Sequence, residues 1–192
     1  SVSGEKPMVH QIEQGGALIL AQRTTGKSFQ GGSQGMSSRG NEKAKELFEA
    51  GAIGKLNYAE GFWARNDPIG AWQHPIPDGA SEDTVDWRRF LGDKPERPYD
   101  PLRIFRWRNY TDYGTGVAGD LFVHLFSSLH FIVSSKGPER IQATGGLRYW
   151  EDGREVPDVL LGMFAYPAAD TPPDFNLSLR VTFVDGPPGS TF

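Results

Sequence analysis

The chain has 192 residues and a mass of 21.2 kDa, a length for one domain with at most part of a second. At 38% hydrophobic and 23% charged residues it is too apolar for a disordered chain, and its net charge of -4 lacks the basic footprint of a nucleic-acid binder. The absence of cysteine excludes disulfides, thiolate zinc sites and a cysteine nucleophile, and the longest apolar run, Leu121 to Val133, is too short to cross a bilayer.

Ser1 to Met8 holds no signal peptide, and the chain reads as if it began inside a larger protein. Val9 to Thr25 is expected to be a helix, with Pro7 suited to its first turn and Gly26 just past its end. Ser28 to Ser33 is a short strand candidate. Asn41 is placed to cap a second helix, Glu42 to Ala50, which Gly51 closes and in which Ala44, Leu47 and Phe48 form an apolar stripe. From Lys55 the period shortens to two, with Leu56, Tyr58 and Phe62 on one side of a half-buried strand.

Asn66 to Pro101 is a proline-rich irregular stretch with one helical turn or two at Asp83 to Leu91. Its aromatics Trp72, Trp87 and Phe90 suggest a packed cover. Ala118 to Val133 reads as a helix that is apolar nearly all round. The runs Arg140 to Trp150, Val159 to Tyr166 and Asn176 to Val184 then form a meander, joined by turns at Glu151-Asp152-Gly153 and Pro167 to Pro173. The expected fold class is α+β, an open and largely antiparallel (mixed) sheet with helices on one face.

Chemistry concentrates in the apolar helix. Asp120 and His124 are four apart, about 40° of helical rotation, so an α-helix puts them on one face. Burying both among Leu121, Phe122 and Phe126 costs free energy unless they are paired or used. Either the pair satisfies itself structurally, or the carboxylate orients an imidazole that serves as acid or base. His130 sits roughly 240° from His124 on the same helix, so no metal site is expected. Gly114-Thr115-Gly116-Val117-Ala118-Gly119 matches G-x-G-x-x-G, but no buried parallel strand precedes it and Asp120 would face a pyrophosphate. It reads as a turn entering the helix. Lys6, next to Pro7, falls at the positive end of the first helix, where a cation is either solvated or aimed at a ligand.

Taken in order, Glu5-Lys6-Pro7, a helix, a strand, a helix ending in Ala-Gly-Ala-Ile-Gly-Lys, and Gly-Asp-x-x-x-His resemble the glucose–fructose oxidoreductase, inositol dehydrogenase and rhizopine-catabolism family (Gfo/Idh/MocA). Lys43 to Lys55, Val85 to Gly92, Phe105 to His124 and Gly145 to Pro157 look like one bacterial branch of that family. The resemblance implies the tail of a Rossmann domain over residues 1–35 and a substrate-binding and dimerisation domain over 36–192. The end of the chain, after Asp185-Gly186-Pro187-Pro188-Gly189, looks clipped.

In that family Lys6 matches the lysine beside nicotinamide and substrate, with Glu5 and Pro7 as its cofactor-side neighbours. Asp120 matches the substrate-orienting aspartate and His124 the histidine that takes the hydroxyl proton. Asn66, Arg106 and Tyr113 are candidate substrate contacts by position and side-chain type; Arg106 could equally be ion-paired, and Tyr113 a core or turn aromatic. The resemblance implies NAD or NADP in the complete protein, with none expected to be bound by this chain, because the fingerprint glycines have no match in it. The partners implied are a sugar or polyol and further copies of the chain, joined through the sheet in a dimer or larger homo-oligomer; no nucleic acid and no membrane are expected.

Three functions follow. One is a sugar or polyol dehydrogenase whose substrate side this chain supplies, inactive in isolation. Another is an NAD-dependent glycosidase, and the third is a non-catalytic sugar-binding or oligomerisation module. NADH released during turnover separates the first from the second. Localisation, cytoplasmic or periplasmic, is left open.

Overall fold

The structure, a computed structural model, describes residues 1–65, 71–168, 174–184 and 189–191. The first unit is β1 (Val2–Glu5), α1 (Ile12–Thr25) and β2 (Phe29–Gly32), with β1 and β2 paired in parallel from Val2↔Phe29 to Glu5↔Gly32. Helix α1 begins later than its apolar pattern suggests. Gln11 caps it, and Gln14 reaches back to the Gln11 backbone N–H at 3.0 Å. Pro7 therefore lies in the loop between β1 and α1, not in the first helical turn. The other end is as expected, with Gly26 at φ 61° donating its N–H to Gln22. No residue of α1 is buried, and Ile12 is 90% exposed.

A 3₁₀ turn (Gln34–Ser37) leads into α2 (Arg39–Glu49), whose cap is Ser38 and not Asn41. Asn41 has another task, since its Nδ2 donates to Gly35 O at 2.7 Å and to Ser128 Oγ at 3.2 Å. Of the expected stripe, Phe48 packs on the core while Leu47 stays 45% exposed. Strand β3 (Tyr58–Ala64) follows. The cover beyond it holds two short helices, α3 (Trp87–Leu91) and α4 (Pro101–Phe105), and is anchored by buried Trp72 and Trp87. The helical turn expected at Asp83 to Leu91 is thus only α3. Trp72 packs edge-on against Phe183, with ring centroids 4.9 Å apart.

The expected continuous helix from Ala118 is in two parts, a π-helical turn (Ala118–Phe122) running into α5 (Val123–Val133). Lys45 of α2 donates to Phe131 O and Ser134 Oγ, placing a cation at the negative end of α5. Next come β4 (Arg140–Gly146), β5 (Val159–Tyr166), β6 (Phe175–Thr182) and β7 (Gly189–Thr191). The sheet order is β4-β5-β6-β3-β7. The meander β4-β5-β6 is antiparallel, β3 lies parallel to β6, and β7 is antiparallel to β3, which makes the sheet mixed.

Period-two patterning decides which face is covered. Phe175, Leu177, Leu179 and Val181 of β6 are buried beneath Leu121, Phe122 and Leu125, whereas Ser178 and Arg180 point to the open face. Two glycines allow the close approach. A Cβ on Gly162 would meet the Phe164 ring at 2.6 Å, and one on Gly61 would sit 3.1 Å from Leu179.

The expected strand Arg140 to Trp150 stops at Gly146, and Asp158 is the reason. Its fully buried carboxylate accepts backbone N–H bonds from Arg148, Tyr149 and Trp150 at 2.8, 2.9 and 2.8 Å, which turns the chain out of the sheet. Its backbone O accepts from Phe183 N, beyond the end of β6. Burial alone would raise the Asp158 pKa. The three backbone hydrogen bonds and the charge of Arg154 outweigh that, so the pKa is lowered. A depressed carboxylate contributes stability above its unfolded pKa and loses it as pH falls through the folded value. Asp158→Asn, which sets an amide NH₂ against inward-pointing donors, should cost about 3 kcal/mol in chemical denaturation and flatten the acid limb of the stability profile.

Candidate functional site

The site begins at the C-terminal end of β1, the place where parallel α/β units offer room to a ligand. Glu5 ends the strand and lies over the backbone of Gly32. Lys6 and the half-buried Pro7 follow, joined by a cis peptide bond. His10 fastens this loop, because its Nε2 lies 3.2 Å from both Thr111 O and Gly114 O, just before the π turn. Since α1 starts only after Gln11, Lys6 is clear of that helix's dipole, and the expected conflict with it does not arise.

Lys6 crosses instead to the π turn. Its Nζ donates to Asp120 O at 2.6 Å and to Asp120 Oδ1 at 2.8 Å, with side chains 15% and 9% exposed. Arg108 Nε donates to the same Oδ1 at 3.1 Å, its guanidinium lying 4.3 Å from the centre of the Trp107 ring. Asp120 thus belongs to a two-cation cluster, and the expected Asp120–His124 hydrogen bond is not formed. Charge-assisted bonds are roughly twice as strong as neutral ones, so the ammonium and guanidinium win the carboxylate from a neutral imidazole.

His124 is in the first turn of α5, half-buried, with its ring 5.6 Å from that of Trp63 at the end of β3. Its pKa is lowered, first by burial and then by the charges of Lys6 and Arg65, with Asp120 partly opposing. At neutral pH the imidazole is uncharged and able to accept a proton. π-Helical turns are frequent at functional sites, and this one carries Asp120 directly before the turn that carries His124.

The other candidates are placed elsewhere. Arg106 Nε donates to His74 O at 3.0 Å and Nη1 bonds Gln73, so it holds the cover in place. Tyr113 packs on Phe90 at 4.9 Å, its hydroxyl buried without a partner among the described residues. Asn66 lies outside the described residues. His130 bonds the Tyr166 hydroxyl at 2.7 Å, and burial pushes that hydroxyl's pKa up to about 12. Arg108, Trp63 and Arg65 were not foreseen, since no spacing rule links them to Asp120 or His124. The glycine run 114–119 serves packing: a Cβ on Gly114 would press on the Arg108 backbone at 3.2 Å, and one on Gly119 would strike the Thr115 side chain.

No known family's sequence profile and no curated protein sequence matches the chain. Solved structures do. It is similar to an NAD-binding oxidoreductase from Klebsiella pneumoniae, with a TM-score of 0.63 and 17% identity over 94% of this chain and 40% of that one. It is also similar to the WlbA dehydrogenase from Bordetella pertussis, solved with NADH and UDP-GlcNAcA, with a TM-score of 0.65 and 16% identity over 97% and 46%. A super-repressor mutant of Gal80p from Saccharomyces cerevisiae has a TM-score of 0.60 and 18% identity over 94% and 42%. The chain spans less than half the length of each. At such identities the shared property is the fold, an α+β fold like that of part of the NAD-binding oxidoreductases.

The environment of His124 has a titration consequence. Its pKa should lie below the ordinary imidazole value in NMR, moving up in Lys6→Met and further down in Asp120→Asn. A depressed histidine contributes stability fully present above the unfolded pKa and lost as pH falls through that value toward the folded one.

Proposed function

We propose that the chain is the substrate side of an NAD(P)-dependent oxidoreductase of the Gfo/Idh/MocA type, acting on a sugar or polyol hydroxyl. The observation that carries this reading is the Lys6–Asp120 contact, which joins the end of a parallel strand to the turn before a neutral His124. In this reading residues 1–35 are the end of a nucleotide domain and 36–192 a substrate domain. Support comes from α1, whose Ile12, Ile19 and Leu20 are 90%, 54% and 62% exposed, an apolar surface that further protein would cover.

In this reading Glu5, Lys6 and Pro7 are the residues that would meet a nicotinamide, whereas the glycines at 114–119 are used in packing and offer no phosphate cradle. Such a cofactor, when bound, supplies the hydride acceptor. The side chains of this chain do the rest. His124, neutral, accepts the hydroxyl proton; Lys6 stabilises the developing alkoxide; Asp120 fixes Lys6 through Oδ1 and orients the substrate. With no such cradle among the described residues, the isolated chain is inactive in this proposal.

The test is sugar-dependent reduction of NAD(P) by the full-length protein. His124→Asn should lower kcat by roughly 10²–10⁴-fold, and Lys6→Met should lower it too, with the fold kept. Variants that turn over like the wild type would remove the assignment, and turnover without released NADH would move it to a glycosidase.

The open sheet face is the proposed contact between copies. Leu161 and Met163 are 46% and 60% exposed there and, with Phe62 and Arg180, line a concavity of about 530 Å³. Met163→Glu should shift the protein from dimer to monomer in sedimentation.

A further inference from the structure

We infer that Arg108 recognises an acidic group on the substrate, so that the sugar or polyol is a carboxylated one, such as a uronate. This rests on the reading of Lys6, Asp120 and His124 as a substrate site. The first observation is an imbalance of charge. Two cations, Lys6 and Arg108, converge on one oxygen of one carboxylate, and among the described residues no other acid forms an ion pair with either. A third cation, Arg65, lies 5.8 Å from the centre of the Trp63 ring, which is itself 5.6 Å from that of His124. Asp120 can neutralise one of these charges. A half-enclosed site with surplus positive charge attracts an anion in preference to a neutral ligand of the same shape.

The second observation is the geometry of Arg108. Only Nε is used by Asp120, and among the described residues neither Nη meets a hydrogen-bond partner. Stacking on Trp107 fixes the plane of the guanidinium, while its side chain keeps 32% of its surface open. A rigid planar fork with free N–H groups matches the two oxygens of a carboxylate, whereas a lysine at this position would offer only a point charge. Arg106, two residues earlier, shows the contrast, since its guanidinium is occupied by Gln73 and His74 O.

A residue that merely held Asp120 in place would affect every substrate alike. Recognition of an acid would not. Binding of glucuronate and of glucose to the full-length protein, measured by calorimetry, separates the two roles. Glucuronate should bind at least about tenfold more tightly than glucose, the differential of a single charge-assisted contact. Arg108→Gln should abolish that preference, and Arg108→Lys should restore it in part. Equal binding of the two sugars by the wild type, or an equal loss for both in Arg108→Gln, would overturn the inference. Turnover assays keep the two proposals apart. Oxidation of glucose in preference to glucuronate leaves the dehydrogenase reading standing and removes this one, whereas Arg108-dependent glucuronate binding with no turnover does the reverse.

Discussion

Everything at the site depends on one carboxylate that must be paired. Asp120 is 9% exposed, and an ionised group so placed is tolerable only with cations and donors around it. Lys6 meets that need with two hydrogen bonds, one to the side chain and one to the main chain of the same residue. The contact joins residues more than a hundred positions apart, and stripping one partner of a buried pair typically costs about 3–5 kcal/mol. The loop after β1 is therefore held against the π turn by electrostatics as much as by packing.

That contact also sets the chemistry of His124. Because Asp120 is committed to Lys6 and Arg108, it is not free to hold a proton on the imidazole. Burial and the nearby cations then favour the neutral base. In the proposed reaction the acceptor is left uncharged by its surroundings, while Lys6 supplies positive charge to the alkoxide. The cations that add to the effect of burial on His124 are the ones an acidic substrate would meet in the proposed reading.

The scaffold under this cluster is stiff for identifiable reasons. Strand β6 lies between β5 and β3, and its buried side chains interlock with those of the π turn and α5 over Gly61 and Gly162, where any larger residue would hold the layers apart. At the sheet's edge, Asp158 gathers three backbone N–H groups and ties the turn after β4 to the residue beyond β6. A buried hub of this kind converts local hydrogen bonds into fixed separations between strands.

By itself the sequence determined the elements with strong periodicity. Alternation at Phe175 to Thr182 and along Val159 to Tyr166 identifies strands because a side-chain period of two has one structural reading. The motif positions Lys6, Asp120 and His124 were likewise legible as candidates. Tertiary structure alone decided how they meet. A four-residue spacing predicts a shared face only in a regular α-helix, and the π turn together with two competing cations replaced an Asp–His pair by an Asp–Lys–Arg cluster. Pro7 suits a helix start and equally the loop it occupies, so local preference could not place Lys6. Arg108 and Trp63 come from separate segments with no pattern connecting them to Asp120 or His124. Charge pairing and burial are properties of the folded assembly, and no window of sequence contains them.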